Sequence, residues 1–129
     1  MPLKWIRWWP IGPLELWRMN GLEEWGAFPH LTLDTTHLGT KGLDPLMVYE
    51  RVRERVVHVH LSNAQREGRR VQEHCRLEDG FLLLDAFLKR LAQDGYDGIV
   101  TVELEPESLE AEDEEKVCFH LRQQIAFCR

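Results

Sequence analysis

Apolar runs and amphipathic segments alternate along this chain, and their order predicts its fold. Short apolar runs, the last two rich in β-branched residues, predict three strands: Leu31–Leu33, the stretch VVHVHLS from Val56, and IVTVELEP from Ile99, which Pro106 ends. Amphipathic segments lie before, between and after these runs. Strands that alternate with helices are typical of an α/β fold, in which right-handed βαβ units build a parallel sheet.

Apolar residues spaced three or four positions apart predict four helices. Prolines that suit a first turn and glycines that end a last turn mark their limits. The predicted helices are Pro13 to about Gly26, a segment that begins at Asp44-Pro45, Leu82–Gly95, and about Ser108 to Phe127. The stripes expected to pack on a core are Leu46, Tyr49 and Val52 in the second helix, Leu84, Leu88 and Leu91 in the third, and Val117, Leu121 and Ile125 in the fourth.

Glycines and polar residues predict two loops. Gly39 and Gly42 mark a loop after the first strand. Residues 62–79, with the sequence SNAQREGRRVQEHCRLED, are predicted to form a long polar loop. Loops of this length in a compact domain are more often functional than not, so we expect this segment to contribute to a site.

Length and composition limit the classes of protein to which the chain can belong. A chain of 129 residues, 43% hydrophobic and 29% charged, is typical of one globular domain. The net charge of −6 argues against nucleic-acid binding through a broad basic surface. No apolar run approaches the ~20 residues that a membrane span needs. Three cysteines without a CxxC motif favour a reducing cytoplasm over a disulfide framework.

All five tryptophans fall within the first 25 residues. The opening MPLKWIRWWPIGP is not a secretory signal, because Arg7 and Pro10 interrupt its apolar part. Its prolines also prevent a long helix that could lie on a membrane, so we expect the rings to pack on the body of the fold. The single domain, residues 1–129, is therefore divided into a tryptophan-rich lead-in with a helix (1–27) and three βα units (28–129).

Groups able to bind a metal ion lie near the end of each predicted strand. The carboxyl ends of parallel strands lie on one face of a barrel, so these groups should meet there. A mixed set of carboxylates and imidazoles suits Mn²⁺, Zn²⁺ or Fe²⁺. Three alternatives stay open, since Asp34 can cap the loop after its strand, His37 can hydrogen-bond to a ligand, and Glu105 can be a rim residue near Pro106. The groups are Asp34 with His37, His58 with His60, and Glu103 with Glu105.

Side chains alternate along a strand, so His58 and His60 share one side and the intervening valines the other. His58 lies one layer deeper than His60. We expect it to be a hydrogen-bonded interior histidine rather than a ligand. Cys75 follows His74 directly and is interpreted as an ordinary thiol of the predicted loop.

Four motifs, LTLDTTH, VVHVHLSN, the later EH and GYDGIVTVELEP, resemble in order the last three strands of the xylose isomerase-like barrels. That superfamily holds sugar-phosphate isomerases and epimerases together with the endonuclease IV group. The resemblance covers roughly residues 28–127. It implies a partial (β/α)8 TIM barrel, made of about the last three strands with their helices.

The resemblance also implies a ligand set. In the family a Glu, an Asp, a His and a second Glu, from the last four strands, typically hold a divalent ion, here Mn²⁺ or Zn²⁺. Asp34, His60 and Glu103 match the last three, and Glu103 would also be catalytic. His37 and His74 match further ligands of the multi-zinc endonucleases. The Asp that usually stands two residues before the second of those histidines is Gln72 here.

The first Glu of the family should lie about one βα unit before Asp34, at or before residue 1. Glu15, Glu23 and Glu24 fall on a predicted helix instead. A full barrel typically needs ~250 residues, so we expect the C-terminal part of such an enzyme. Its expected partners are a missing N-terminal half or a self-associated copy, and the isolated chain is expected to self-associate and to lack turnover.

Three functions follow from these expectations. The first is a metal-dependent isomerase or epimerase acting on a small sugar or sugar phosphate. The second is metal-dependent phosphodiester hydrolysis, and the third is a non-catalytic fragment or interaction module. Four arginines of the predicted loop would bind a phosphate group, although Glu67 and Glu73 partly offset their charge. They are Arg66, Arg69, Arg70 and Arg76.

Overall fold

The computed structural model describes residues 28–129. The tryptophan-rich lead-in and the helix predicted from Pro13 to about Gly26 lie outside the described residues. In chain order the elements are β1 (Leu31–Asp34), α1 (Thr35–Thr40), α2 (Pro45–Val52), β2 (Val56–Leu61), β3 (Asn63–Glu67), β4 (Arg70–Cys75), α3 (Leu84–Gln93), β5 (Ile99–Val102) and α4 (Glu114–Phe127). Among the described residues, no helix is long and apolar enough to cross a lipid bilayer.

The three predicted strands form one parallel sheet in the order β1-β2-β5. Asp34 pairs with His60, and His60 pairs with Thr101, so the carboxyl ends of the strands are level. Helices connect the strands, as right-handed βαβ units require. This architecture confirms the α/β class and is that of a partial (β/α)8 barrel. The described residues form no closed barrel.

The hydrophobic core lies between this sheet and the helices α2 and α3. Val59 and Leu61 of β2 are fully buried on the helix side. Tyr49 of α2 and Phe87 of α3 pack edge to face, with ring centroids 5.8 Å apart. Asp44 caps α2, since its carboxylate accepts a hydrogen bond from the backbone N–H of Leu46 at 2.9 Å. The predicted start and buried side of α2 are thus confirmed.

The prediction of a long loop over residues 62–79 is wrong. Most of that segment is the antiparallel hairpin β3–β4, which turns at Gly68 with a φ of +60°. Glycine at the first position of a two-residue turn is a preferred hairpin arrangement. The strands carry mostly polar side chains, so the alternation that usually indicates a strand is absent. Buried Asn63 ties the hairpin to the next segment, because its amide donates to Leu77 O at 2.8 Å.

Two further predictions need correction. Gly39 lies within α1 rather than in a loop. The last helix begins at Glu114 instead of about Ser108, because Pro106–Leu109 forms a separate 3₁₀ turn. The stripe expected to pack is mostly solvent-facing, with Leu121 42% and Ile125 55% exposed.

Candidate metal centre

Two adjacent threonines after β1 join the ends of β1 and β2. The Thr35 hydroxyl donates to the carbonyl of Ser62 at 2.7 Å, and the backbone N–H of Ser62 donates to the same hydroxyl at 3.0 Å. The Thr36 and Ser62 hydroxyls are 2.7 Å apart. All three residues are fully buried. These hydrogen bonds fix the carboxyl ends of both strands, where the predicted ligands lie.

Asp34 is both a helix cap and a member of the candidate site. Its Oδ1 accepts a hydrogen bond from the backbone N–H of His37 at 3.0 Å, which starts α1. Its Oδ2 lies 3.0 Å from Nδ1 of His37 and 3.9 Å from Nδ1 of His60. The cap holds the carboxylate in place without using the oxygen that faces the imidazoles.

The first cluster consists of Asp34, His60 and Glu103, and one ligand atom of each lies within 4.8 Å of the others. His60 Nδ1 is 3.0 Å from Glu103 Oε2. The backbone N–H of Glu103 donates to Leu61 O at 3.1 Å, which carries the pairing of β2 and β5 beyond the last strand residue. Sheet pairing therefore brings together three residues from separate strand ends.

The first cluster fits a divalent ion. Metal–ligand bonds of about 2.0–2.2 Å place neighbouring donor atoms about 3.0–3.6 Å apart. The separations from His60 Nδ1, 3.0 Å to Glu103 and 3.9 Å to Asp34, bracket that range. The carboxylates of Asp34 and Glu103, both near the His60 imidazole, also supply the negative charge that a cation needs. All three side chains are partly exposed, so an ion can reach them from solvent.

A second cluster, adjacent to the first, consists of His37, Glu73 and His74. One ligand atom of each again lies within 4.8 Å of the others. The imidazoles of His37 and His74 meet edge to face, with centroids 5.4 Å apart. Glu73 was not among the predicted ligands. The EH dipeptide placed it beside His74, but only the hairpin shows that its carboxylate faces His37.

Neighbouring polar residues have other partners. His58 Nε2 is 2.8 Å from the Thr101 hydroxyl, so the expected hydrogen bond is present, but this contact is exposed and His58 is half-buried rather than interior. Its ring also contacts that of His60 at 4.6 Å. Glu105 belongs to neither cluster, and its backbone N–H donates to His74 O at 3.0 Å. Burial raises the pKa of the Cys75 thiol, which disfavours the thiolate form that binds metals.

The structure does not bring the four predicted phosphate-binding arginines together at the clusters. Arg66, Arg69 and Arg70 lie at the turn of the hairpin. Arg70 is four residues from His74, which is about 13 Å along a strand. The Arg66 guanidinium lies over the Phe81 ring at 4.9 Å. Arg76 pairs with Asp79 at 2.6 Å and with His120 at 2.9 Å.

Comparison with known proteins gives the family of the chain. Two inosose dehydratases, from Lacticaseibacillus casei and from its strain BL23, are each 25% identical to it over 95 residues. The match covers 63% of this chain and 32% of each relative, so it spans about a third of their length. A family model described as xylose isomerase-like TIM barrel matches residues 29–123, more than half of the chain. The resemblance is confirmed: the chain belongs to the xylose isomerase-like TIM barrel family.

Proposed function

We propose that this chain carries the metal-binding end of an enzyme that isomerises or epimerises a small sugar or sugar phosphate. One observation carries the proposal: Asp34, His60 and Glu103 converge at the carboxyl ends of three adjacent parallel strands. Active sites of such barrels are built on that face. Members of the family generally bind divalent metals and act on small-molecule sugars.

The three residues of the first cluster would hold Mn²⁺ or Zn²⁺, to which carboxylate and imidazole ligands are suited. When bound, such an ion polarises a carbonyl oxygen of the substrate. Asp34 is held for this role by its cap to α1, and His60 by the pairing of β2 with both neighbours. The donor atoms are therefore positioned before any ligand arrives.

Glu103 is the proposed catalytic residue. Its side chain is 48% exposed on the open side of the sheet, and its Oε2 lies 3.0 Å from Nδ1 of His60. The other carboxylate oxygen is available to take a proton from a carbon beside the substrate carbonyl and to return it. Isomerisation through an enediol, epimerisation beside a carbonyl and dehydration of a ketone can each begin with this proton transfer. The relatives are named inosose dehydratases, so dehydration of a ketone is a related reaction for the same site.

A second candidate function is hydrolysis of a phosphodiester. The second cluster of two imidazoles and a carboxylate favours it, because such hydrolysis commonly uses more than one ion. The position of Arg66, Arg69 and Arg70 at the far end of the hairpin argues for a small sugar over an extended phosphate ester. The third hypothesis, a non-catalytic role, is tested by the deuterium-exchange experiment described below.

Metal binding by the full chain tests the proposal. Calorimetry with Mn²⁺ and Zn²⁺ should show binding that Asp34→Asn and His60→Ala each weaken at least about tenfold, since each removes one of three donors. Glu105→Gln is the matched control, because this exposed carboxylate lies outside both clusters. Equal affinities for wild type, Asp34→Asn and His60→Ala would contradict the proposal.

Proton exchange tests the role of Glu103. In D₂O, the chain should exchange the proton on the carbon beside the carbonyl of a ketose or an inosose for deuterium, which is detected by NMR and requires only the proton-transfer step rather than full turnover. Glu103→Gln should abolish this exchange. Metal binding without any such exchange would favour the non-catalytic hypothesis.

A further inference from the structure

The two edges of the parallel sheet differ, and they complement each other. We propose that copies of this chain associate head to tail, with α4 of one copy packed into a groove beside β1 of the next. β5 of the first copy then lies next to β1 of the second. This inference goes beyond the proposed function, because it stands on the edges of the sheet and not on metal binding.

Both outer strands of the sheet have a free edge. Among residues 28–129, β1 and β5 each pair with β2 and with no other strand. Each is four residues long, and their carboxyl ends are level. Unpaired backbone N–H and C=O groups at such an edge are a template for pairing with another chain. Because β1 and β5 run in the same direction, β5 of one copy can continue the parallel sheet into β1 of another.

The exposed apolar side of α4 has nothing to pack on within the part of the chain that the structure describes. Residues three or four positions apart share one side of a helix, and four such residues of α4 form what we call the α4 stripe. In a right-handed βαβ unit, the helix after a strand packs over that strand and the next one. α4 follows β5, and no described strand lies beyond β5. The α4 stripe consists of Val117, Cys118, Leu121 and Ile125.

A groove with a volume of about 410 Å³ lies beside β1, and we call it the edge groove. The helix that precedes a strand in a βαβ unit packs against that strand, as α2 does before β2. The edge groove is the corresponding place before β1, and α4 of a second copy would fill it. Its apolar lining suits the α4 stripe. The apolar side chains that line it are Phe28, Leu31, Leu33, Leu38, Val48 and Val52.

Opposite charges lie at matching levels of the two surfaces. Glu114 begins α4 on the side of the α4 stripe, near the carboxyl ends of the strands. Lys41 lines the edge groove directly after α1, which follows the carboxyl end of β1. Both side chains are exposed, and neither forms an ion pair within residues 28–129. A second copy that fills the edge groove with its α4 stripe therefore brings its Glu114 towards Lys41. This complementarity identifies the occupant as another copy of the chain.

A charge swap tests this contact in the full chain by sedimentation velocity. Lys41→Glu and Glu114→Lys should each weaken self-association about fivefold or more, because like charges then meet at the interface. The double variant Lys41→Glu, Glu114→Lys should restore association towards that of wild type. Lys89→Glu, the same charge reversal on the exposed side of α3, is the matched control and should associate as wild type does.

Mixing two damaged copies tests the head-to-tail arrangement. The double variant Leu121→Ser, Ile125→Ser has a damaged α4 stripe and an intact edge groove, and Lys41→Glu has the reverse. At a concentration where each is monomeric alone, an equimolar mixture should form a dimer with one copy of each, since one intact contact remains. A symmetric contact between two α4 stripes would leave the mixture monomeric.

Three results would overturn the proposal: a monomeric mixture, a charge swap that does not restore association, or a wild type that is monomeric at every concentration. If residues 1–27 of the same chain cover the edge groove, Lys41→Glu will not change association, which also overturns it. Circular dichroism establishes that each variant is folded.

Discussion

The helices α3 and α4 are both amphipathic in sequence, yet α3 packs against the protein with its apolar face and α4 with its polar face. α3 buries apolar Leu84, Phe87 and Leu91 against the core. α4 buries two polar residues, His120 and Gln124, and leaves its apolar side chains largely exposed. Amphipathic spacing therefore shows that a helix has two faces, but not which of them faces the protein.

Hydrogen bonds explain the orientation of α4. Gln124, 1% exposed, accepts a hydrogen bond from the backbone N–H of Leu77 at 2.8 Å and donates one to Glu78 at 2.9 Å. His120 lies between Arg76 and Glu110, at 2.9 Å from each. Buried polar groups are costly unless they are paired, so these pairs hold the polar face of α4 against the segment after the hairpin.

The largest expected effect is on the apolar contact of α3. Phe87→Ala should lower the free energy of unfolding by about 3–5 kcal/mol, because it leaves a cavity beside Tyr49. The matched control is Phe119→Ala on α4, where the ring is 57% exposed. That control should change the free energy of unfolding by less than about 0.5 kcal/mol. Urea denaturation of both variants measures the difference, and equal losses would remove the contrast between the helices.

The polar contact of α4 should have an intermediate effect. Gln124→Met keeps the approximate shape of the side chain but leaves the buried N–H of Leu77 unpaired, at a cost of about 1–3 kcal/mol. Gln123→Met, on the exposed side of the same helix, is the control. If both variants unfold at the same urea concentration, α4 is not held by this hydrogen bond.

A smaller, pH-dependent effect is expected at Glu110. Hydrogen bonds from Lys116 and then from His120 lower the pKa of Glu110 to about 2, from its ordinary value of 4.5. A lowered folded-state pKa stabilises the fold above pH 4.5, and this contribution is lost as the pH falls from 4.5 towards 2. Glu110→Gln should therefore be less stable than wild type at pH 6, and the two should converge near pH 2. Urea midpoints at pH 6, 4 and 2.5 check this, with Glu112→Gln as control.

The smallest effect on stability is expected on the exposed face of α4. The double variant Leu121→Ser, Ile125→Ser should change the free energy of unfolding by less than about 0.5 kcal/mol, since both residues face solvent. It should nevertheless reduce self-association in sedimentation velocity, because exposed apolar patches promote contacts between chains. A large loss of stability would show that this face is buried by the protein itself.

The residues of the first cluster can be identified from the sequence, because strand ends mark them. Asp34, His60 and Glu103 each follow or end an apolar run, and parallel pairing then places them together. Glu73 could not be found in this way. It reaches His37 only through the hairpin, and β3 and β4 carry mostly polar side chains that give no strand pattern.

The order of the three parallel strands with α2 and α3 between them, the cap at Asp44 and the family could be predicted from the sequence alone, because local propensity and short motifs act between residues close together in the chain. Tertiary structure alone decided the left-handed backbone at His74 and the buried face of α4. Both depend on hydrogen bonds between segments more than 30 residues apart, such as Ser108 to His74 and Leu77 to Gln124. Periodicity within one element carries no information about such partners.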